Sequence, residues 1–269
     1  MRTAADRYVA FRNLHDSGCF VMPNPWNAGT ARVLARVGFP ALATTSSGFA
    51  WSIGRPDNHA SLEEALAYMQ AIVRTVDVPV SADFEGAFAV EPEDVATNVS
   101  RAIETGVVGL SIEDSTKDAA DPLFDFKLAV ERVRAARRAI DAAGGRVLLT
   151  GRSEGFIVAR PDLKETIRRL TAYAEAGADC LYAPGLAKLE DIAAVVKAVR
   201  PKPVNVLARP TFTVEQLARS GVRRISVGGG FARTAWTAFL DAAREVNERG
   251  TFKAIGRAAP GAEIDGLFE

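Results

Sequence analysis

At 269 residues, with hydrophobic side chains making up 48% of the chain, there is enough apolar material for one large core, which excludes a disordered protein. Lys plus Arg and Asp plus Glu stand at 33 each, so no overall field draws the chain to nucleic acid or to an anionic membrane. No run reaches the roughly 18 apolar residues of a membrane span, and residues 1–7 lack the apolar stretch of a signal peptide.

Eight short apolar runs are predicted as strands, at 20–22, 41–45, 78–82, 109–112, 147–150, 180–182, 204–207 and 224–227. Between them, apolar residues recur at three- and four-residue spacing, as in Ala65-Met69-Ile72-Val73, Val130-Val133-Ile140 and Ile192-Val195-Val196-Val199, which predicts helices. Gly38, Gly106, Gly177 and Gly221 each stand where a helix should give way to the next strand. Eight such units close naturally into a (β/α)8 barrel of the TIM type, here a single domain over residues 1–269. An open doubly wound sheet is the alternative, and the even spacing of eight units argues against it. A helix is predicted over 234–249. The tail that follows carries Phe252, Ile255, Ile264, Leu267 and Phe268, and is expected to pack on the barrel or on a partner subunit.

The most informative residues are acids placed where buried strands should end. Asp83 and Glu85 follow the third strand, and Glu113 and Asp114 follow the fourth. Carboxylates at neighbouring strand ends converge on a small volume and form a hard-oxygen site suited to Mg²⁺ or Mn²⁺. The competing reading is that they cap the helices that follow. The other strand ends extend the set. Thr45-Ser46-Ser47-Gly48 offers hydroxyls and backbone amides to an anionic group. Arg152 can grip a carboxylate with two nitrogens and neutralise an enolate, or it can form a structural ion pair with Glu154 or Glu113. Asn205 and Arg209 fall at the seventh strand, and Gly228-Gly229-Gly230 ends the eighth.

Other chemistries have little to build on. Only two histidines exist, His15 and His59, which speaks against a histidine-rich zinc site or a Ser-His-Asp triad; both read as surface or helix residues, with His59 near a loop that holds Asp57. Cys19 and Cys180 stand far apart beside apolar runs and read as buried, reduced thiols, which implies a cytoplasmic location. A divalent cation, an oxyanion pocket and an arginine, with no evident covalent nucleophile, suit the making or breaking of a bond next to a carbonyl.

These segments resemble the isocitrate lyase and phosphoenolpyruvate mutase superfamily over nearly the whole chain. The resemblance rests on Phe20-Val21-Met22-Pro23-Asn24-Pro25-Trp26-Asn27-Ala28, Thr44-Thr45-Ser46-Ser47-Gly48-Phe49-Ala50, Gly54-Arg55-Pro56-Asp57, Ala82-Asp83-Phe84-Glu85-Gly86, Ile112-Glu113-Asp114, Thr150-Gly151-Arg152-Ser153-Glu154 and Asn205-Val206. It implies a barrel whose last helix is exchanged between paired subunits, usually within a tetramer. It also implies Mg²⁺ held by Asp83, Glu85 and Glu113, partly through water, with Asp57 close by. Thr45, Ser46, Ser47 and Gly48 would grip the substrate carboxylate, and Arg152 and Asn205 would add further contacts.

The chain departs from that pattern in one loop. Lyases of the isocitrate and methylisocitrate type carry a Lys-Lys/Arg-Cys-Gly-His motif after the fourth strand, and its cysteine is their general acid–base. Here the loop reads Ser115-Thr116-Lys117-Asp118-Ala119-Ala120-Asp121-Pro122-Leu123, with neither Cys nor His. Isocitrate and methylisocitrate cleavage are therefore not expected. The expected function is a Mg²⁺-dependent lyase or decarboxylase that cleaves a C–C bond of a small α-keto or α-hydroxy dicarboxylic acid, with Lys117 meeting the substrate's distal charge. Carbon–phosphorus chemistry on a phosphonopyruvate-type acid, or a barrel that binds small acids without catalysis, are the alternatives.

Overall fold

Helices and parallel strands alternate eight times along the chain, and the computed structural model describes residues 2–269. The strands are β1 (Phe20–Met22), β2 (Leu42–Ala43), β3 (Val80–Asp83), β4 (Gly109–Glu113), β5 (Leu148–Arg152), β6 (Cys180–Tyr182), β7 (Val204–Leu207) and β8 (Arg224–Ser226). The helices are α1 (Ala4–Asp16), α2 (Ala28–Val37), α3 (Ser46–Ser52), α4 (Leu62–Thr75), α5 (Pro92–Glu104), α6 (Phe126–Ala142), α7 (Leu163–Glu175), α8 (Leu189–Ala198), α9 (Val214–Arg219), α10 (Gly230–Arg249) and α11 (Gly261–Gly266). All pairings are parallel, in the order β1-β8-β7-β6-β5-β4-β3-β2. The two ends of that series meet through the Ala43 N–H, which donates to Pro23 O at 3.0 Å, and the Asn24 amide, which donates to Thr44 O at 2.7 Å. The result is a nearly closed (β/α)8 barrel.

Local chemistry explains the punctuation. Thr3, Asn27, Ser61 and Thr213 each form a reciprocal capping box that satisfies free N–H groups at a helix start. The four glycines predicted to end helices all have positive φ, from +86° to +106°. Four boundaries that bear on the site differ from the sequence reading. The strands β3, β4 and β5 run one or two residues further than predicted, through Asp83, Glu113 and Arg152. These side chains therefore stand on rigid sheet rather than on loops. Helix α10 begins four residues before the predicted start, because Gly230 already belongs to it.

Strand periodicity of two divides the interior. Leu110, Ile112, Leu149, Leu181, Val206 and Ile225 face outward into the main core, where the helices cover them. A second, smaller cluster of Phe11, Phe20, Met22, Ala41, Ala43, Val108 and Leu148 plugs the N-terminal floor of the barrel, with α1 beneath it. His15 lies on α1, a helix residue as one of the two readings had it, and is buried in that floor between Phe11 and Phe20. Helix α10 behaves differently. Of its 20 residues only Ala232 is buried, and Phe231, Trp236, Phe239 and Leu240 stay exposed. Among the described residues no helix is long and apolar enough to cross a membrane.

Candidate active site

The centre of the site is made by three adjacent strand ends. Asp83 lies opposite Ser111, and Glu113 lies opposite Arg152. Arg152 Nη1 sits 2.9 Å from Asp83 Oδ1 and 3.3 Å from Glu113 Oε2, while its Nε is 2.5 Å from Glu154 Oε1. The other Asp83 oxygen accepts from the Ser46 backbone N–H at 3.0 Å and from the Ser46 hydroxyl at 2.9 Å. Arg152 thus forms the ion pairs with Glu154 and Glu113 that the sequence offered as one reading of it, and adds one with Asp83. Its guanidinium lies over the Tyr182 ring, 5.3 Å from the ring centre.

Glu85 is placed by unusual backbone. Glu85, Ala87 and Phe88 all adopt positive φ, between +51° and +59°, a conformation that costs non-glycine residues energy. The segment is held by Arg132 of α6, which is fully buried and donates to the carbonyls of Gly86, Ala89 and Val90 while stacking on Phe124. From the other side the 115–123 loop folds back as a small hairpin. Ser115 bridges Leu123, Thr116 N–H donates to Pro122 O, and the Asp118 carboxylate accepts from Ala120 N–H. Lys117 at its tip pairs with Glu85.

Burial and mutual repulsion act on the acids together. The Glu113 carboxyl is pushed up to about 8 by burial, against the pull of Arg152 and with help from Glu154, Asp83 and Glu85. Burial also raises Glu85, despite Lys117, and Glu154, despite Arg152. Asp57 is raised by desolvation and by Asp83 across the mouth. Five carboxylates, Asp57, Asp83, Glu85, Glu113 and Glu154, thus share two cations, Arg152 and Lys117. Among the described residues no three His, Cys, Asp or Glu side chains converge as a complete direct ligand set. The donors nonetheless fit a hard divalent cation bound partly through water, since their chemistry is all-carboxylate and their repulsion is what such a cation relieves. Asp83, Glu85 and Glu113 would hold it.

Next to these acids lies a cavity of about 190 Å³ that opens at the C-terminal face and reaches down into the barrel. Thr45, Ser46, Ser47, Asp57, Asp83, Arg152 and Asn205, all singled out from sequence, line it. Other residues fall elsewhere. Asp114, grouped with the metal acids, points away from the barrel because it is one residue past Glu113 and so on the opposite face. It is buried against Tyr173 (2.6 Å), Arg169 (3.2 Å) and the Glu154 N–H (2.7 Å), and is structural. Ser46, although it lines the cavity, is taken up by Asp83, and Gly48 lies behind, its N–H donating to Thr45 Oγ1 and any Cβ on it falling 3.1 and 3.2 Å from Trp26 and Ala232. Lys117 sits on Glu85 rather than in the cavity, and Arg209 is exposed outside it. Gly229 passes so close to Ser47 that a Cβ there would lie 2.7 Å from its hydroxyl. Neither cysteine lines the cavity: Cys180 is buried and Cys19 is half-buried rather than buried, and both are free thiols.

Tyr182, Asn24, Ser226 and Arg224 also line the cavity. Asn24 and Tyr182 stand at strand ends that the sequence marked out, whereas Ser226 and Arg224 were not singled out. Asn24 ties three strand ends together, since its Oδ1 accepts from Val227 and Gly228 N–H at 2.9 and 2.8 Å. The inward register of β8, set by Arg224 and Ser226 around the apolar Ile225, was the signal available.

A (β/α)8 barrel with an acid cluster and an anion-sized cavity at its C-terminal face defines a class of enzyme architecture. Comparison makes it specific: the chain matches the phosphoenolpyruvate phosphomutase family over residues 11–247, and it belongs to that family, within the isocitrate lyase and phosphoenolpyruvate mutase superfamily. A provisionally assigned lyase/mutase from Burkholderia cenocepacia shares 46% identity and superposes with a TM-score of 0.94, covering 98% of this chain and 96% of that one. A 2-methylisocitrate lyase of Aeropyrum pernix is 27% identical over 87% of this chain and 78% of its own. The structure of a phosphonopyruvate hydrolase with oxalate and Mg²⁺ is 26% identical, with a TM-score of 0.84 over 99% of this chain and 95% of the other.

Proposed function

We propose that the chain is a Mg²⁺-dependent lyase or decarboxylase that cleaves a C–C bond of a small α-keto or α-hydroxy dicarboxylic acid through an enolpyruvate-like intermediate. The observation that carries this reading is the position of Arg152, with Nη1 between Asp83 and Glu113 at the edge of a small polar cavity. Mg²⁺ or Mn²⁺, when bound by Asp83, Glu85 and Glu113, supplies Lewis acidity to a carbonyl oxygen. The chain's own groups do the rest. Arg152 spends Nε and Nη1 on carboxylates, which leaves Nη2 to meet the oxygen on which negative charge develops. Ser47 and Asn205 line the wall where a substrate carboxylate is held. Asp57 stands at the mouth, and loop 115–123 carries Lys117 toward the substrate's second charge when it leaves Glu85.

The absence of a thiol from the wall favours decarboxylation or retro-aldol release without a cysteine acid. Tyr182, whose hydroxyl burial pushes up to about 12, stays protonated at neutral pH and is available as a donor. The same pocket also suits phosphonopyruvate, so carbon–phosphorus cleavage is the second reading, and the phosphonopyruvate hydrolase relative supports it. The exposed apolar face of α10 supports assembly as a homodimer or tetramer.

A screen for pyruvate and phosphate release discriminates these readings. Oxaloacetate, 2-substituted malates and phosphonopyruvate are offered with Mg²⁺ and again after EDTA. Pyruvate release that needs the metal, without phosphate, supports C–C cleavage. Phosphate release from phosphonopyruvate supports the second reading. Turnover unchanged after complete metal removal overturns both.

A further inference from the structure

Beneath the Arg152 layer the barrel interior holds a second arginine. Arg224 lies on β8, is 3% exposed and borders the cavity from below. Its Nε donates to Asn205 Oδ1 at 3.0 Å, its Nη2 to Thr150 Oγ1 at 2.9 Å, and its Nη1 faces His15 Nε2 at 3.3 Å. His15 Nδ1 lies 2.8 Å from Phe11 O and must donate there, so Nε2 is an unprotonated acceptor. All three partners are neutral. No carboxylate forms an ion pair with Arg224 among the described residues, so this cation is buried without a counter-charge.

This arrangement fixes the orientation of Asn205. A guanidinium has only donors, so the amide must present Oδ1 to it. The amide nitrogen then faces the other way, donating to Ser226 Oγ at 3.0 Å, and both residues line the cavity. Without Arg224 nothing in the pairing prevents the amide from turning its oxygen to the cavity, where it would repel an anion.

We propose that Arg224 is a positioning residue for anion binding, locking the Asn205 amide with its NH₂ toward the cavity so that this wall selects a small carboxylate. The inference rests on the reading of the cavity as a small-acid site. The uncompensated charge of Arg224 agrees with it, because an anion in the cavity supplies the counter-charge the protein does not.

The test is calorimetric titration of oxalate, with Mg²⁺ present, into wild type, Arg224→Met, Asn205→Ala and the double variant. Each single substitution is expected to weaken oxalate by at least about tenfold, the worth of a lost buried hydrogen bond to an anion. In the Asn205→Ala background, Arg224→Met should add less than about a twofold loss, because the two act as one unit. Mg²⁺ binding measured without oxalate should stay within about twofold of wild type in Arg224→Met, which a general collapse of the barrel would not permit. Asn205→Asp covers the case in which Arg224→Met fails to fold: its carboxylate still pairs with Arg224, so it should melt no lower than wild type yet lose oxalate. Equal losses from Arg224→Met in both backgrounds, or wild-type oxalate affinity in Asn205→Asp, overturn the positioning role. Failure of wild type itself to bind oxalate overturns the small-acid site and this inference with it.

Discussion

Lys117 and Glu85 form an ion pair across 32 positions of sequence, and both hold left-handed backbone to do so, at φ +67° and +51°. The loop lysine therefore occupies one of the carboxylates proposed for the metal. Lysine and divalent cation should compete for Glu85. In Lys117→Met, Mg²⁺ affinity in the absence of substrate should rise by about fivefold, matching the ~1 kcal/mol of a part-exposed pair. Turnover of a dianionic substrate should fall, and a monoanionic analogue should be spared. Unchanged Mg²⁺ affinity in a direct titration removes the competition.

Asp83 gives the sharpest test of the metal site. Asp83 accepts from Ser46 twice and from Arg152, so deleting its carboxylate would disturb the fold as well as the metal site. Truncation to Ala would leave those donors unpaired. The isosteric Asp83→Asn keeps the shape and one acceptor. It should retain the fold by circular dichroism and lower Mg²⁺ affinity by more than about 100-fold, since even outer contacts to a metal are worth 10–100-fold. Activity that survives Asp83→Asn would mean the acids only organise Ser46 and Arg152.

Arg132 couples the site to the fold. Its buried guanidinium, which burial lowers to about 10, binds the carbonyls of the segment that follows Glu85. Arg132→Leu removes the side chain and strands those carbonyls, a mechanism worth about 3 kcal/mol or more. Denaturant unfolding should show that loss, and Mg²⁺ affinity should fall with it as Glu85 drifts.

What the sequence showed and what it hid follow from physics. The barrel was legible because its signals are local: short apolar runs, helical spacing and glycines such as Gly38 and Gly177 with φ of +104° and +106°. Acids at strand ends were legible for the same reason, yet Glu113 and Asp114 could not be separated until the strand's true end was known, one residue beyond the expected one. Arg132 and Arg224 were invisible. In a helix or strand pattern an arginine reads as a surface residue, and only tertiary packing shows that these two are buried on carbonyls and amides. The burial of His15 was hidden likewise, because the floor it plugs is built by strands far away in sequence.

His15 carries a pH dependence that can be stated with its sign. Burial and the adjacent Arg224 lower it from the usual 6.5 to about 3. The unfolded chain therefore takes up a proton below pH 6.5 that the folded chain refuses, so stability is lost as pH falls through that window. The loss approaches about 1.4 kcal/mol per pH unit. His15→Gln keeps a donor for Phe11 O and an acceptor for Arg224 but does not titrate. Urea unfolding of both proteins from pH 7 to pH 4 should show the variant gaining on wild type as pH drops. Parallel curves would mean that His15 is protonated in the folded state.

The last prediction concerns α10, where Trp236 and Phe239 pack edge to face at 5.6 Å but remain 37% and 61% exposed. Together with Phe231 and Leu240 they form an apolar face that this chain does not cover, and a face of that kind marks an interaction surface. The tail does not hide it: Phe252, Ile255 and Ile264 are themselves exposed, although the Phe268 ring comes to within 3.9 Å of where a Cβ on Gly29 would sit. What the family resemblance implies is exchange of this helix with a second copy, whose barrel would cover the face. Wild type should sediment as a dimer or tetramer, and Phe239→Glu, which would bury an unpaired charge in the exchanged contact, should shift it toward monomer with little change in the folded chain's far-ultraviolet circular dichroism. Wild type that sediments as a monomer at micromolar concentration would rule out exchange of α10, and the exposed aromatic face would then need a different partner.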